Sequence, residues 1–366
     1  MQKTEHYKLL DALRGVAALM VLCFHCCEGI AYGTGDMDQG IYQGFLAVDF
    51  FFLLSGFVIG YAYDGRWGKM KTGQFFKRRL IRLQPMVTAG VLLGLAVFCF
   101  QGRMSWEGVQ SSWIETALMF ILALLVVPCP AFLEGRGLNE IFPLNGPHWS
   151  LFIEYVGNIL YALLLRKLSD KVLKLWIAVC AAGLIAVSCT LPKESTINFG
   201  WGSEAYQFGI GFFRMGFSYG AGLLMARKFR EKKPAKLNGT WLFPLCGALL
   251  IGMLVVPNLH EANAIYELLC IFIVFPQLIW FAARGTCTDK AGKAMTWLGE
   301  LSYPIYAIHY PFIYLFIGWL HEGALPLGLT IKSMPVAICI VVISLAALLL
   351  EFYEKPVRKW LSAKGK

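Results

Sequence analysis

Charge is scarce in this chain. Only 15% of its 366 residues are Asp, Glu, Lys or Arg, against 57% that are hydrophobic. A soluble domain carries about 25% charged residues, so a soluble class is excluded and a multi-pass membrane protein is left. No Pro/Ser/Gly-rich linker divides the apolar segments, so residues 1–366 are expected to form a single integral-membrane domain with no appended soluble domain. Histidine is also rare, with six copies, and no second His/Cys group at ligand spacing accompanies Cys23, His25, Cys26 and Cys27. No metal site is expected. The eleven cysteines fall mostly inside apolar runs, as Cys99, Cys180, Cys246, Cys270 and Cys339 do, and read as small buried hydrophobes rather than a disulfide framework. The first apolar segment carries Asp11 and Arg14 and lacks a small-residue cleavage pattern, so it is expected to stay as a helix.

What is present is length without charge. Apolar runs lie near 9–30, 46–63, 86–100, 114–132, 148–166, 172–191, 206–226, 241–257, 264–283, 302–320 and 334–352, to be compared with a hydrocarbon core of about 30 Å. The net charge of +10 falls in short loops between them, as in Lys3 and Lys8 before the first and Lys77, Arg78, Arg79 and Arg82 before the third. Such basic loops orient a membrane protein and do not imply nucleic acid. Basic clusters at both ends place both termini in the cytoplasm, which requires an even number of crossings. The run 114–132 ends in Pro128 and Pro130 and is the expected exception. The expectation is an all-α polytopic helix bundle of ten crossings plus one re-entrant or interfacial helix, with residue 138 outside the cytoplasm.

Ionisable residues inside such runs cost roughly 2.5–3.5 kcal/mol each on insertion scales and are seldom kept without a partner or a task. Arg14 and His25 are eleven residues apart, which returns a helix to within about 20° of its starting direction and about 16 Å deeper. Both therefore face one way. Asp49 enters the second segment, where a carboxylate could orient a histidine on a neighbouring helix. Ser55 and Gly56, farther along it, read as a packing seam. Arg79 and Arg82, one turn apart and expected at the aqueous surface, offer two guanidinium forks to a polyanion. Ser150 and Glu154 share a face of the fifth segment and point into the bundle, where Glu154 is open between a functional role and that of a structural partner for a basic residue. Ser302, Tyr306 and His309 make a polar stripe on the tenth; interhelical hydrogen bonding is a sufficient explanation for Ser302 and Tyr306, while His309 is open between a supporting partner of the site and a ring satisfied in the core. From these residues alone, an enzyme and a transporter with an intramembrane Arg/His/Asp/Glu relay both remain open.

Taken in order, several motifs resemble one family. They are Arg14 with His25, Asp49-Phe-Phe-Phe-Leu-Leu-Ser-Gly-Phe57, Arg78-Arg79-Leu-Ile-Arg82-Leu-Gln-Pro85, Trp149-Ser-Leu before Glu154, Leu301-Ser-Tyr-Pro-Ile-Tyr306 before His309, and Glu354-Lys355-Pro356. Together they are similar to the acyltransferase-3 family of bacterial multi-pass membrane O-acyltransferases, over essentially the whole chain. The resemblance implies transfer of an acyl group, commonly acetyl, from cytoplasmic acyl-CoA to a hydroxyl of a cell-envelope carbohydrate or glycolipid. It implies location among the lipids of the bacterial inner membrane and no permanently bound cofactor. His25 would be catalytic and Arg14 essential, while Arg79 and Arg82, with Arg78 beside them, would contact the donor. His25 would act as a general base on the acceptor hydroxyl or carry the acyl group itself, with Asp49 or Glu154 fixing its tautomer. One departure is the ending Glu154-Tyr155, where a double-acidic ending is usual.

Overall fold

The computed structural model describes residues 7–35, 40–190, 192, 196–287 and 289–363; Lys3 lies outside the described residues. The helices are α1 (Lys8–Thr34), α2 (Ala47–Tyr63), α3 (Thr72–Phe100), α4 (Trp113–Leu124), α5 (His148–Leu163), α6 (Asp170–Thr190), α7 (Ala205–Lys232), α8 (Gly239–Leu254), α9 (Asn263–Leu269), α10 (Phe275–Ala282), α11 (Asp289–Ile308), α12 (Tyr310–His321), α13 (Met334–Leu349) and α14 (Lys355–Ala363). π-helical turns at Cys270–Val274 and Leu350–Glu354 join α9 to α10 and α13 to α14. The only sheet among the described residues is a parallel pairing of Leu237–Asn238 with Gly285–Thr286. The protein is therefore an all-α polytopic membrane bundle, and seven of its helical stretches are long and apolar enough to cross a bilayer.

The run expected not to cross is α4, whose 12 residues rise only about 18 Å. Ser112 and Glu115 close its N-terminus in a reciprocal capping box.

In α3 the structure differs from the expectation. The helix begins at Thr72, so the arginine run is helical and Pro85 sits inside it. Phe75, Arg79 and Leu83 recur every fourth residue and form its buried stripe. Arg79 is thus 8% exposed and not at the aqueous surface.

Two close helix crossings set the centre of the bundle. A Cβ at Gly56 of α2 would stand 2.1 Å from the carbonyl oxygen of Tyr219, and one at Gly222 of α7 would stand 2.2 Å from that of Leu53. Between α1 and α11, a Cβ at Gly15 would reach 2.5 Å from the Leu298 oxygen, and one at Gly299 would reach 2.6 Å from that of Asp11. Only glycine permits such contact, and without a hydrophobic driving force between helices this packing holds membrane bundles together. The seam expected at Gly56 is therefore present. It brings Asp49 of α2 against Arg214 of α7.

Candidate active site

His309 lies at a break between α11 and α12, because Pro311 has no N–H for the carbonyl of Ala307. The Asn145 side-chain amide donates to that carbonyl instead (2.8 Å). At the same break, His309 Nδ1 donates to the Tyr306 carbonyl (2.8 Å), with the Ile305 carbonyl at 3.1 Å. A carbonyl can only accept, so in the neutral ring Nδ1 carries the proton and Nε2 is an acceptor. His25 Nδ1 lies 2.7 Å from that Nε2 and must be the donor. The consequence is a defined tautomer in which His25 Nε2 keeps its lone pair. Glu28 Oε2 stands 3.8 Å from that nitrogen and accepts from the Tyr310 hydroxyl at 3.2 Å.

His25 lines the first of three adjoining cavities. A histidine cavity of about 50 Å³ is lined by His25, Glu28, Glu140, Trp149, Tyr306 and Tyr310 among others. A middle cavity of about 310 Å³ meets it at Val48 and Tyr306 and carries Arg79, Arg82, Glu154, Ser55 and an apolar wall including Phe51, Phe52 and Leu83. A basal cavity of about 610 Å³ shares Arg14, Arg82 and Tyr303 with the middle one and is bounded by the start of α1 and by α14. Arg14 thus lies at the border of the two lower cavities. It donates to Ser302 Oγ (3.0 Å), Asp11 Oδ1 (3.0 Å) and the Gly299 carbonyl (3.1 Å).

Of the expected residues, His25 and Tyr306 line the histidine cavity, and Arg14, Arg79, Arg82, Ser150, Glu154 and Ser302 line the lower two, whereas Asp49, His309 and Arg78 line none of the three. Asp49 does not reach His25. It accepts two hydrogen bonds from Arg214 (2.6 and 3.1 Å), and both side chains are fully buried. Glu154 also lies away from His25, because Arg79 (2.7 Å) and Ser55 (2.9 Å) both donate to it. The histidine's partner is another histidine. Ser150 and Tyr306 are joined at 2.6 Å, and both hydroxyls reach the Pro147 carbonyl at 3.1 Å. Arg78 is exposed and outside the lining of all three cavities, being about 100° around α3 from the buried Arg79 stripe.

Sequence reasoning missed Arg214, Glu28 and Glu140. Arg214 also donates to the carbonyls of Phe199 (2.8 Å) and Phe45 (3.4 Å), fixing Phe45 as part of the histidine-cavity wall. Glu28 follows His25 by three residues and so shares its helix face, a signal that was available. Glu140 belongs to the loop before α5 and accepts a hydrogen bond from Tyr314. That loop is ordered by Glu134, which accepts from the backbone N–H groups of Arg136, Gly137, Leu138 and Asn139 at 2.7 to 3.2 Å.

A histidine pair and two arginine-lined cavities thus share the interior of a polytopic bundle. The family model described as "Acyltransferase domain" matches residues 7–350, and the chain belongs to this acyltransferase-3 family. It is an acyltransferase, which sets aside the transporter reading. Among curated relatives, "Protein 2 in picA locus" of Rhizobium radiobacter is 33% identical over half of this chain and 95% of its own length. Acyltransferase MdmB of Streptomyces mycarofaciens is 29% identical over half of this chain and 45% of its own length. Peptidoglycan O-acetyltransferase OatA of Listeria monocytogenes is 23% identical over 86% of this chain and 51% of its own length. The chain thus spans about half the length of the latter two. No solved structure matches.

Proposed function

We propose that this enzyme takes an acyl group, in the first instance acetyl, from cytoplasmic acyl-CoA and transfers it to a hydroxyl of a carbohydrate or glycolipid at the far side of the bacterial inner membrane. The carrying observation is the His309-anchored tautomer, which leaves His25 Nε2 open onto a cavity that adjoins a cation-lined passage. The relative named a peptidoglycan O-acetyltransferase supports a glycan acceptor.

In this reading the membrane is crossed ten times, by α1, α2, α3, α5, α6, α7, α8, α9 with α10, α11 with α12, and α13 with α14. Helix α4 lies at the surface and both termini are cytoplasmic. The basal cavity then faces the cytoplasm and the histidine cavity faces outward. A reporter fused after residue 138 is expected to respond as extracytoplasmic; a cytoplasmic signal would overturn this orientation.

The donor's phosphates meet Arg82 and Arg14 at the basal end, and the pantetheine arm occupies the apolar middle cavity. His25 Nε2 accepts the acceptor's hydroxyl proton as that oxygen attacks the thioester carbonyl. The C–O bond forms, the C–S bond breaks, and the proton leaves with the thiolate as free CoA. Glu28 stabilises the imidazolium formed in between, and His309 fixes the tautomer, the part first expected of Asp49 or Glu154. Arg14 is about 16 Å below His25 along α1 and acts on the donor's body, not on the reacting carbonyl.

The test is purified protein incubated with acetyl-CoA and a panel of envelope glycans, scored by free CoA and by the mass of the glycan. Free CoA that rises only with a glycan, together with an acetyl mass increment on it, is the expected result. CoA release that is independent of every acceptor would contradict the proposal.

A further inference from the structure

The basal cavity is bounded on one side by α14, to which the sequence assigned only a topological role. Its charges pair unevenly. Arg14 is held by Asp11 (3.0 Å), Lys355 by Glu300 (3.0 Å) and Arg358 by Glu354 (2.9 Å). These three pairs use every acidic side chain in the lining. They leave Arg82 and Lys359 with no ion pair and no side-chain hydrogen bond among the described residues. The charged neighbours of Arg82 are Arg14, Arg79 and Arg358, with Glu154 and Glu354 as the acids, and these two are already engaged by Arg79 and Arg358. A half-buried guanidinium whose acidic neighbours are held by other arginines is an arrangement that a bound polyanion completes.

The order of the cations along the passage says which part of a polyanion each would meet. Arg79 lines only the middle cavity, Arg14 and Arg82 line both lower cavities, and Arg358 and Lys359 line only the basal one. A CoA-type donor has its diphosphate next to the pantetheine arm and its ribose 3′-phosphate at the end farthest from the thioester. We propose that α14 completes the donor site, with Arg358 and Lys359 binding the 3′-phosphate while Arg82 meets the diphosphate. Glu354, which is buried and keeps one carboxylate oxygen without a partner, positions Arg358 at the cavity rim. This proposal rests on acyl-CoA being the donor.

The experiment compares acetyl-CoA, acetyl-3′-dephospho-CoA and acetyl-pantetheine as donors for the full chain, for the double variant Arg358→Ala/Lys359→Ala and for Arg358→Lys. The parent protein is expected to prefer acetyl-CoA over its dephospho form by about tenfold or more in KM, the scale of one charge-assisted contact. The double variant is expected to lose that preference, and Arg358→Lys to keep part of it, which separates loss of a phosphate contact from loss of folding. A parent that uses both nucleotides equally, or a double variant that keeps the parent's ratio, would overturn the assignment to α14 and leave the acyl-CoA reading standing. Turnover of acetyl-pantetheine with no gain from either nucleotide would overturn it too. No turnover of any of the three would remove the donor reading and this proposal together.

Discussion

The Asp49–Arg214 and His25–His309 pairs both bridge helices inside the bundle, yet the first is closed and the second is open. Every nitrogen of the Arg214 guanidinium is used, on Asp49 or on the carbonyls of Phe45 and Phe199, and neither side chain of the ion pair is exposed. In the histidine pair three of the four ring nitrogens are taken up by the relay to the Tyr306 carbonyl, and the fourth faces a cavity. A buried polar group that is fully satisfied fixes helix against helix. One left with a lone pair at a cavity wall is available to a substrate.

The comparison can be broken first at its structural end. Arg214→Met alone strands the Asp49 carboxylate and is expected to destabilise the protein by about 3–5 kcal/mol, seen as lost monodisperse protein and a lower melting temperature in detergent. Adding Asp49→Leu is expected to recover most of that loss, since a buried ion pair exchanged for apolar side chains is often close to neutral. A double variant as unstable as the single would show that the pair does more than join α2 to α7. At the open end, His309→Ala is expected to slow transfer by roughly 10–100-fold, the usual cost of losing an orienting partner, while melting shifts little. His309→Gln, whose side-chain oxygen can still accept from His25 Nδ1, is expected to regain part of the rate; equal losses in both variants would argue against the orienting role. Glu154→Gln is the mildest. It keeps an acceptor for Ser55 but removes the charge facing Arg79, and is expected to cost about 1–2 kcal/mol of stability, read as a small melting shift.

Helix periodicity made one side of this site legible and left its partners hidden. Arg14 with His25, and Ser302 with Tyr306 and His309, could be placed on common faces because each set lies on one continuous segment. Which face meets which is not readable from one helix, so a histidine is a reasonable partner for Asp49 in the sequence although its actual partner is 165 residues away in α7. Arg214 carries no local mark because it stands alone in the glycine- and phenylalanine-rich first part of α7, well before the basic end of that helix at Arg227, Lys228, Arg230 and Lys232. The depth of Arg79 follows from its four-residue spacing with Phe75 and Leu83 once the arginine run is continuous with α3, which begins at Thr72. The all-α membrane class was readable from the apolar runs, and the short helix α4 from the even number of crossings and the prolines that end its run.

The most direct measurement is glycan-dependent release of CoA by His25→Ala, normalised to monodisperse protein and compared with the Asp49→Leu/Arg214→Met double variant in the same assay. General-base catalysis is worth about 10²–10⁴-fold, so His25→Ala is expected to fall at least a hundredfold with an unchanged elution profile, while the double variant keeps transfer within about an order of magnitude of the parent. Near-parent transfer by His25→Ala would contradict the assignment of the chemistry to the open pair.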